Sequence, residues 1–207
     1  MNVRTGKGGR TDFINCLIES RKYKSYLEIG VRRTCDNFDH IQCLSKVAVD
    51  PNFLQIQNKS QHNYFEMTSD DFFKQNNKKY DIIFIDGLHL EYQVTRDIDN
   101  SLECLNEGGC IVMHDCNPPT EQHQIEEYDG KSSWNGTVWK SFVKKRSRKD
   151  LYMFTVDADC GLGFIEFGEQ ENLIDISEEN ITWKNLEQNR EHWLNLVSPE
   201  MITFEVE

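Results

Sequence analysis

Tyr80-Asp81-Ile82-Ile83-Phe84-Ile85-Asp86-Gly87-Leu88-His89 decides how the rest of the chain is read. A short apolar run ends abruptly on a carboxylate, a glycine and, three residues past the carboxylate, a histidine. A run of this length with turn chemistry behind it reads as a central strand of a parallel sheet, buried on both faces. In open α/β sheets the ligand crevice lies just outside the carboxyl ends of such strands. Asp86 and His89 are therefore expected to face a site rather than a core.

Outward from that strand, strands and helices alternate. Residues 25–30, 46–50 and 63–67 read as strands one to three, 80–85 as the fourth and 110–114 as the fifth. Helices are expected at 11–23, 36–44, 70–75 and 92–105, the last closed by Gly108-Gly109. A loop over 117–133 leads to a helix at 137–145. Two β-rich runs follow, 151–156 and 162–167, joined by the turn-like Asp157-Ala-Asp-Cys-Gly161. Such alternation predicts an α/β, Rossmann-like fold: a mostly parallel sheet with helices on both faces and an antiparallel hairpin at its end. The chain reads as one domain over 1–207, with a flexible lead-in at 1–9 and a C-terminal helical extension at 169–207 carrying a helix near 182–196.

Composition narrows the function. The formal charge of −12 disfavours nucleic acid, which rewards positive charge. The basic stretch Lys140 to Lys149 reads as a solvated helix face, or as a patch for an anionic group on a large acceptor. No segment has the length of apolar sequence that crosses a bilayer, and the first twenty residues lack the apolar core of a secretory signal, so a cytoplasmic protein without membrane insertion is expected. Seven cysteines without a C-x-x-C pair are neither a disulfide framework nor a zinc signature. Gly6, Gly8 and Gly9 lack phosphate-loop spacing.

Carboxylates recur at strand tips. Glu28 stands two residues before Gly30, and Asp50 closes the second strand, where an acid grips a nucleoside ribose. A dinucleotide needs G-x-G-x-x-G, but Arg32 and Cys35 occupy the second and third glycine positions. S-adenosylmethionine carries an ammonium and a sulfonium and no phosphate, which suits Glu28, so the residues favour it over a dinucleotide. Ser69 and Asp70 stand where an adenine would be held, or begin a helix behind the N-cap Thr68. Asp86 and Asp115, on neighbouring tips, repel unless they share a proton or a cation such as Mg²⁺, which would bind through their oxygens and lower the pKa of an acceptor hydroxyl. His89 is the natural general base. His114 is expected to turn into the sheet in a structural role, and Cys116 to pack; His62 and His123 receive no role. Residues 132–139, with Trp134 and Trp139, read as a lid stacking on an acceptor or as a buried anchor.

YLEIGV, VAVDP, YDIIFIDGLHLEYQV and GGCIVMHDCNPP, in this order, resemble class I S-adenosylmethionine-dependent methyltransferases, and within them the macrocin-type sugar O-methyltransferases. The resemblance implies a seven-stranded sheet with a reversed last strand. It also implies S-adenosylmethionine held by Glu28, Gly30, Asp50, Ser69, Asp70 and Asp86. In the metal-dependent sugar-modifying members an Asp-x-x-His and a later Asp serve as ligand, base and ligand, which here are Asp86, His89 and Asp115, with Asp86 and Asp115 on Mg²⁺. The sequence departs at Cys116, where relatives with a second acidic ligand carry Asp. The function expected is methyl transfer to a sugar hydroxyl of a glycan or glycoside. The alternatives are a non-catalytic nucleoside-binding module of a glycan-assembly protein and a dinucleotide-dependent oxidoreductase.

Overall fold

The computed structural model describes residues 2–5, 8–57, 63–128, 130 and 133–206. His62 and Ser132 lie outside them. In chain order the elements are β1 (Asn2–Thr5), α1 (Arg10–Arg21), β2 (Ser25–Ile29), β3 (Ser45–Asp50), β4 (Asn63–Glu66), α2 (Ser69–Gln75), β5 (Tyr80–Ile85), α3 (Glu91–Glu103) and β6 (Leu105–Met113). They continue with α4 (Val138–Lys145), β7 (Leu151–Val156), β8 (Leu162–Phe167), α5 (Trp183–Leu194), β9 (Leu196–Val197) and β10 (Thr203–Val206).

Eight strands form one sheet in the order β4-β3-β2-β5-β6-β8-β7-β9. Only β8 runs against the rest, pairing antiparallel with both β6 and β7. The sheet thus has the expected outline plus one edge strand, the two-residue β9 beside β7. Strand order reverses between β2 and β5, which makes their carboxyl ends the switch point where such sheets bind ligands.

Alternation along the central strands sends side chains to two cores. Ile83 and Ile85 pack with Ile29, Val49 and Met113 under α2 to α5, while Ile82 and Phe84 pack with Tyr26 and Val112 under Phe13, Ile14, Leu17 and Ile18 of α1. Burial on both faces is why 80–85 reads as continuous apolar sequence.

Three expectations are corrected. Residues 36–44 form no α-helix; two single 3₁₀ turns, Thr34–Asp36 and Phe38–His40, flank Asn37. Asn37 is pulled inward, donating to Glu28 Oε2 (3.0 Å) and accepting from Thr11 Oγ1 (2.7 Å), and these tertiary bonds outweigh helical periodicity. Gly108 and Gly109 do not close α3, which ends before Cys104; they lie within β6, where the pairing with β5 shifts register as at a β-bulge. Within the lead-in, Asn2–Thr5 pairs antiparallel with β10. No helix among the described residues is long and apolar enough to cross a membrane.

Candidate active site

The register builds the site. Ile29, Val49, Ile85 and Met113 lie in one row across four parallel strands. The ladder runs one residue further, with Gly30 N donating to Val49 O (2.9 Å), Asp86 N to Ile29 O (2.9 Å) and His114 N to Ile85 O (3.1 Å). Gly30, Asp50, Asp86 and His114 therefore stand side by side at the strand tips. Gly30 has φ +87°, and a Cβ there would lie 2.1 Å from Asp86 O, so glycine alone lets the two loops close together.

A cavity of about 580 Å³ opens at this switch point, lined among others by Gly30, Asp50, Ser69, Asp70, Leu88 and Gln93. Asp50 Oδ2 accepts from Arg32 N (2.7 Å) and Oδ1 from Asn52 N (2.7 Å), which fixes the carboxylate while leaving lone pairs for a ligand's hydroxyls. Thr68 is the N-cap of α2, accepting from Asp71 N (3.1 Å), and it lines the cavity together with Ser69 and Asp70. The helix N-cap foreseen at Thr68 is thus present, and Ser69 and Asp70 face the cavity beside it.

Glu28 sits elsewhere than expected. It does not line the cavity; it is buried behind the tip, accepting from the Tyr26 hydroxyl and from Asn37 Nδ2. Burial pushes its carboxyl up to about 8, with the Asp86 charge adding to the rise.

Next to the cavity the charged side chains converge. His89 Nε2 lies 3.3 Å from Asp86 Oδ1, and His89 Nδ1 lies 2.9 Å from Trp134 O and 3.3 Å from Asp115 Oδ2. A carbonyl only accepts, so Nδ1 keeps its proton in both forms of the ring, and Nε2, which faces the Asp86 carboxylate, is the nitrogen that gains and loses one. Trp134 stacks on the imidazole (5.1 Å, 23°) and donates from its indole to Ile125 O (2.6 Å), so it anchors the His89 ring. Burial opposes a charge on His89, but the bond to Asp86 and the nearby Asp115 outweigh it and raise its pKa. Asp115 has φ +61°, a conformation non-glycine residues rarely adopt, and is held by Asn135 Nδ2 (2.8 Å) on Oδ1.

His114 is the main surprise. Instead of turning into the sheet it lies between the carboxylates, Nδ1 3.4 Å from Asp86 and 3.2 Å from Asp115, Nε2 3.2 Å from Asp159. Burial works against its charge, yet these three carboxylates push its pKa up to about 12. The same contacts from His114 and His89 hold the Asp86 carboxyl, despite its burial, well below the carboxylate range. Arg10, from the start of α1, has Nη1 2.9 Å from His114 Nε2 and 3.9 Å from Asp86 Oδ2. The three carboxylates of Asp86, Asp115 and Asp159 outnumber the Arg10 guanidinium and the His114 imidazole, so the cluster is net negative in either form of His114. Neither Arg10 nor Asp159 carries a local sequence signal; His114 did, standing one residue past a strand tip just as Asp86 does.

The donor set also bears on a metal. Asp86, His114 and Asp115 offer ligand atoms within 4.8 Å of one another. Two carboxylates and one imidazole fit a divalent ion, although the imidazole is a ligand that Mg²⁺ uses less than softer ions do. The ion and the His114 proton are mutually exclusive, since each neutralises the same carboxylate pair.

Comparison with known proteins agrees with this fold. A family model described as a methyltransferase domain matches residues 17–116, which span β2 to β6 and their tips. The fold is that of the class I methyltransferases. An SAH-bound methyltransferase of Podospora anserina superposes with a TM-score of 0.58 at 14% identity, covering 79% of this chain and 81% of that one. An O-methyltransferase of Bacillus cereus in complex with SAH gives 0.52 at 14% identity over 78% and 82% of the two chains. The O-methyltransferase TomG of Streptomyces achromogenes, in complex with SAM, gives 0.51 at 13% identity over 75% and 77%. Comparison with curated protein sequences gives no match.

Proposed function

We propose that this methyltransferase fold serves an S-adenosylmethionine-dependent O-methyltransferase whose acceptor is a sugar hydroxyl of a glycan or glycoside. The observation that carries the reading is the adjacency of the switch-point cavity to a histidine whose proton is fixed on the far nitrogen. Asp50 is suited to ribose hydroxyls, Ser69 and Asp70 to the base, and the net negative cluster to a cationic donor. S-adenosylmethionine, when bound, supplies an electrophilic methyl group on a sulfonium. His89 Nε2 takes the acceptor's proton, Asp86 stabilises the imidazolium through the same nitrogen, and the Trp134 carbonyl keeps the ring oriented. Alignment and deprotonation are what the protein contributes to a displacement at carbon.

Trp134 and the exposed Tyr128, with ring centroids 5.6 Å apart, form an aromatic wall beside His89 that suits the C–H face of a sugar. The macrocin-type resemblance points the same way. Asp86, Asp115 and His114 would hold a divalent ion, which would orient the acceptor hydroxyl and lower its pKa.

The test is methylation of a panel of mono- and oligosaccharides, with and without divalent ion, by the natural chain and by His89→Ala. The expected outcome is turnover lost by about 10²–10⁴-fold in the variant, with SAH affinity retained. A His89→Ala protein as active as the parent would overturn the assignment of the base. Full activity after EDTA would remove the metal from the scheme.

A further inference from the structure

Behind the base end of the cavity, α3 carries a hydrogen-bond network that the transfer chemistry does not use. Gln93 Nε2 lies 3.1 Å from each of Ser69 Oγ, Asp70 Oδ1 and Asp97 Oδ1. The amide oxygen of Gln93 accepts from Arg96 Nη2. With its oxygen facing a guanidinium and its nitrogen facing three acceptors, the amide has one orientation. Asp97 is buried at 1% exposure and anchors the far side of that nitrogen. Arg96 also holds Asp70, with Nε 3.3 Å from Oδ1 and Nη2 3.1 Å from Oδ2.

The two grips on Asp70 pull differently. Arg96 is 49% exposed in its side chain and draws the carboxylate toward solvent. Gln93 is buried at 9% and draws it toward the cavity that Ser69, Asp70 and Gln93 line together. Both keep Asp70 ionised, its pKa lowered first by the Gln93 bond and then, against a small burial effect, by Arg96. What faces the ligand is therefore a fixed hydrogen-bond acceptor.

Resting on the reading of this cavity as the S-adenosylmethionine site, we propose that Gln93, anchored by Asp97, is the positioning residue that makes the site selective for a 6-amino purine over a 6-oxo purine. An exocyclic amino group donates to a fixed carboxylate. A carbonyl at the same position sets one acceptor against another, and a mismatch of this kind between polar groups out of water is what gives large discrimination. Without Gln93, Asp70 retains Arg96 alone and swings outward, and the distinction fades.

Calorimetry with SAH and with S-inosylhomocysteine, in which the amino group is replaced by a carbonyl, tests this on the full chain. The natural protein is expected to favour SAH by about tenfold or more. Gln93→Ala is expected to weaken SAH binding and bring the two ligands within about threefold of each other. A loss of packing alone would weaken both ligands alike and leave the ratio unchanged. Gln93→Glu, of the same shape but without the donor, is the second variant and is expected to lose the ratio too; melting temperatures identify which variants are folded. A folded variant that keeps the natural ratio overturns the proposal, as does a natural protein that binds both ligands equally. A natural protein that binds neither overturns the reading of the cavity itself, and the proposal with it.

Discussion

Glu28 is the residue whose surroundings most change its chemistry. Its carboxyl is raised to about 8 by burial, whereas in the unfolded chain it titrates near 4.5. Below pH 4.5 it is neutral in both states, and its contribution to folding is then at its most favourable. As pH rises from there toward 8 the unfolded chain ionises first, so folding loses up to about 1.4 kcal/mol per pH unit from this group. Glu28→Gln keeps an acceptor for Tyr26 and Asn37 and removes the titration. The variant is therefore expected to melt above the natural protein at pH 8.5 and close to it at pH 4.5, as read by calorimetry across that range. A gap independent of pH would show that Glu28 is not held neutral. At this scale the sequence identified Asp86, His89 and Asp115 correctly as neighbours, because a tip residue's position follows from strand register. It misjudged Glu28 and His114, because which face a residue takes at or past the end of a strand depends on partners far away, such as Arg10 and Asp159.

Between residues and the whole lies the junction that leads into α4. Asn135 N and Gly136 N both donate to His123 O (2.9 and 3.1 Å), Thr137 N donates to His89 O (2.8 Å), and Glu91 N donates to Thr137 Oγ1 (2.8 Å). The junction is thereby fastened to the loop that carries the proposed base. Gly136 has φ +58°, and a Cβ there would lie 2.0 Å from His89 O. Gly136→Ala must displace the backbone of His89, and a misplacement of about 1 Å at a reacting group costs on the order of a hundredfold in rate. The expected result is kcat lowered by about that factor, with SAH affinity changed far less, because the cavity is lined by Gly87 and Leu88 but not by Gly136 or His89. Equal kcat would show that the junction does not set the base. Strands were most legible where a full apolar or alternating run stands between turn residues, so β5, β7 and β8 fall where the sequence put them, whereas β6 begins at Leu105 rather than at Cys110. The stretch 36–44 was not legible, since Asn37 answers to Glu28, Tyr26 and Thr11 rather than to its neighbours in the chain.

For the whole molecule, the segment after β8 belongs to the fold rather than decorating it. Ile174, Ile181, Leu186, Trp193 and Leu194 are buried in the same cluster as Ile83, Met113 and Trp139. Removing five such side chains forfeits roughly 8–15 kcal/mol at about 1.5–3 kcal/mol each, comparable with the roughly 5–15 kcal/mol that holds a domain folded. Arg146 sharpens the argument. It is wholly buried, and its guanidinium reaches only backbone carbonyls among the described residues: those of Met153, Asn172, His192 and Trp193. Burial lowers its pKa to about 10. Three of those four carbonyls lie after β8, so a chain ending at Gly168 loses most of the acceptors that hold this guanidinium in place. Such a chain is expected to show no cooperative thermal transition by circular dichroism and to bind hydrophobic dye. Arg146→Met in the full-length chain, which swaps the cation for an apolar side chain, is expected to keep a cooperative melt. A shortened chain that melts cooperatively within about 5 °C of the full one would show that β2 to β8 close a complete core without α5.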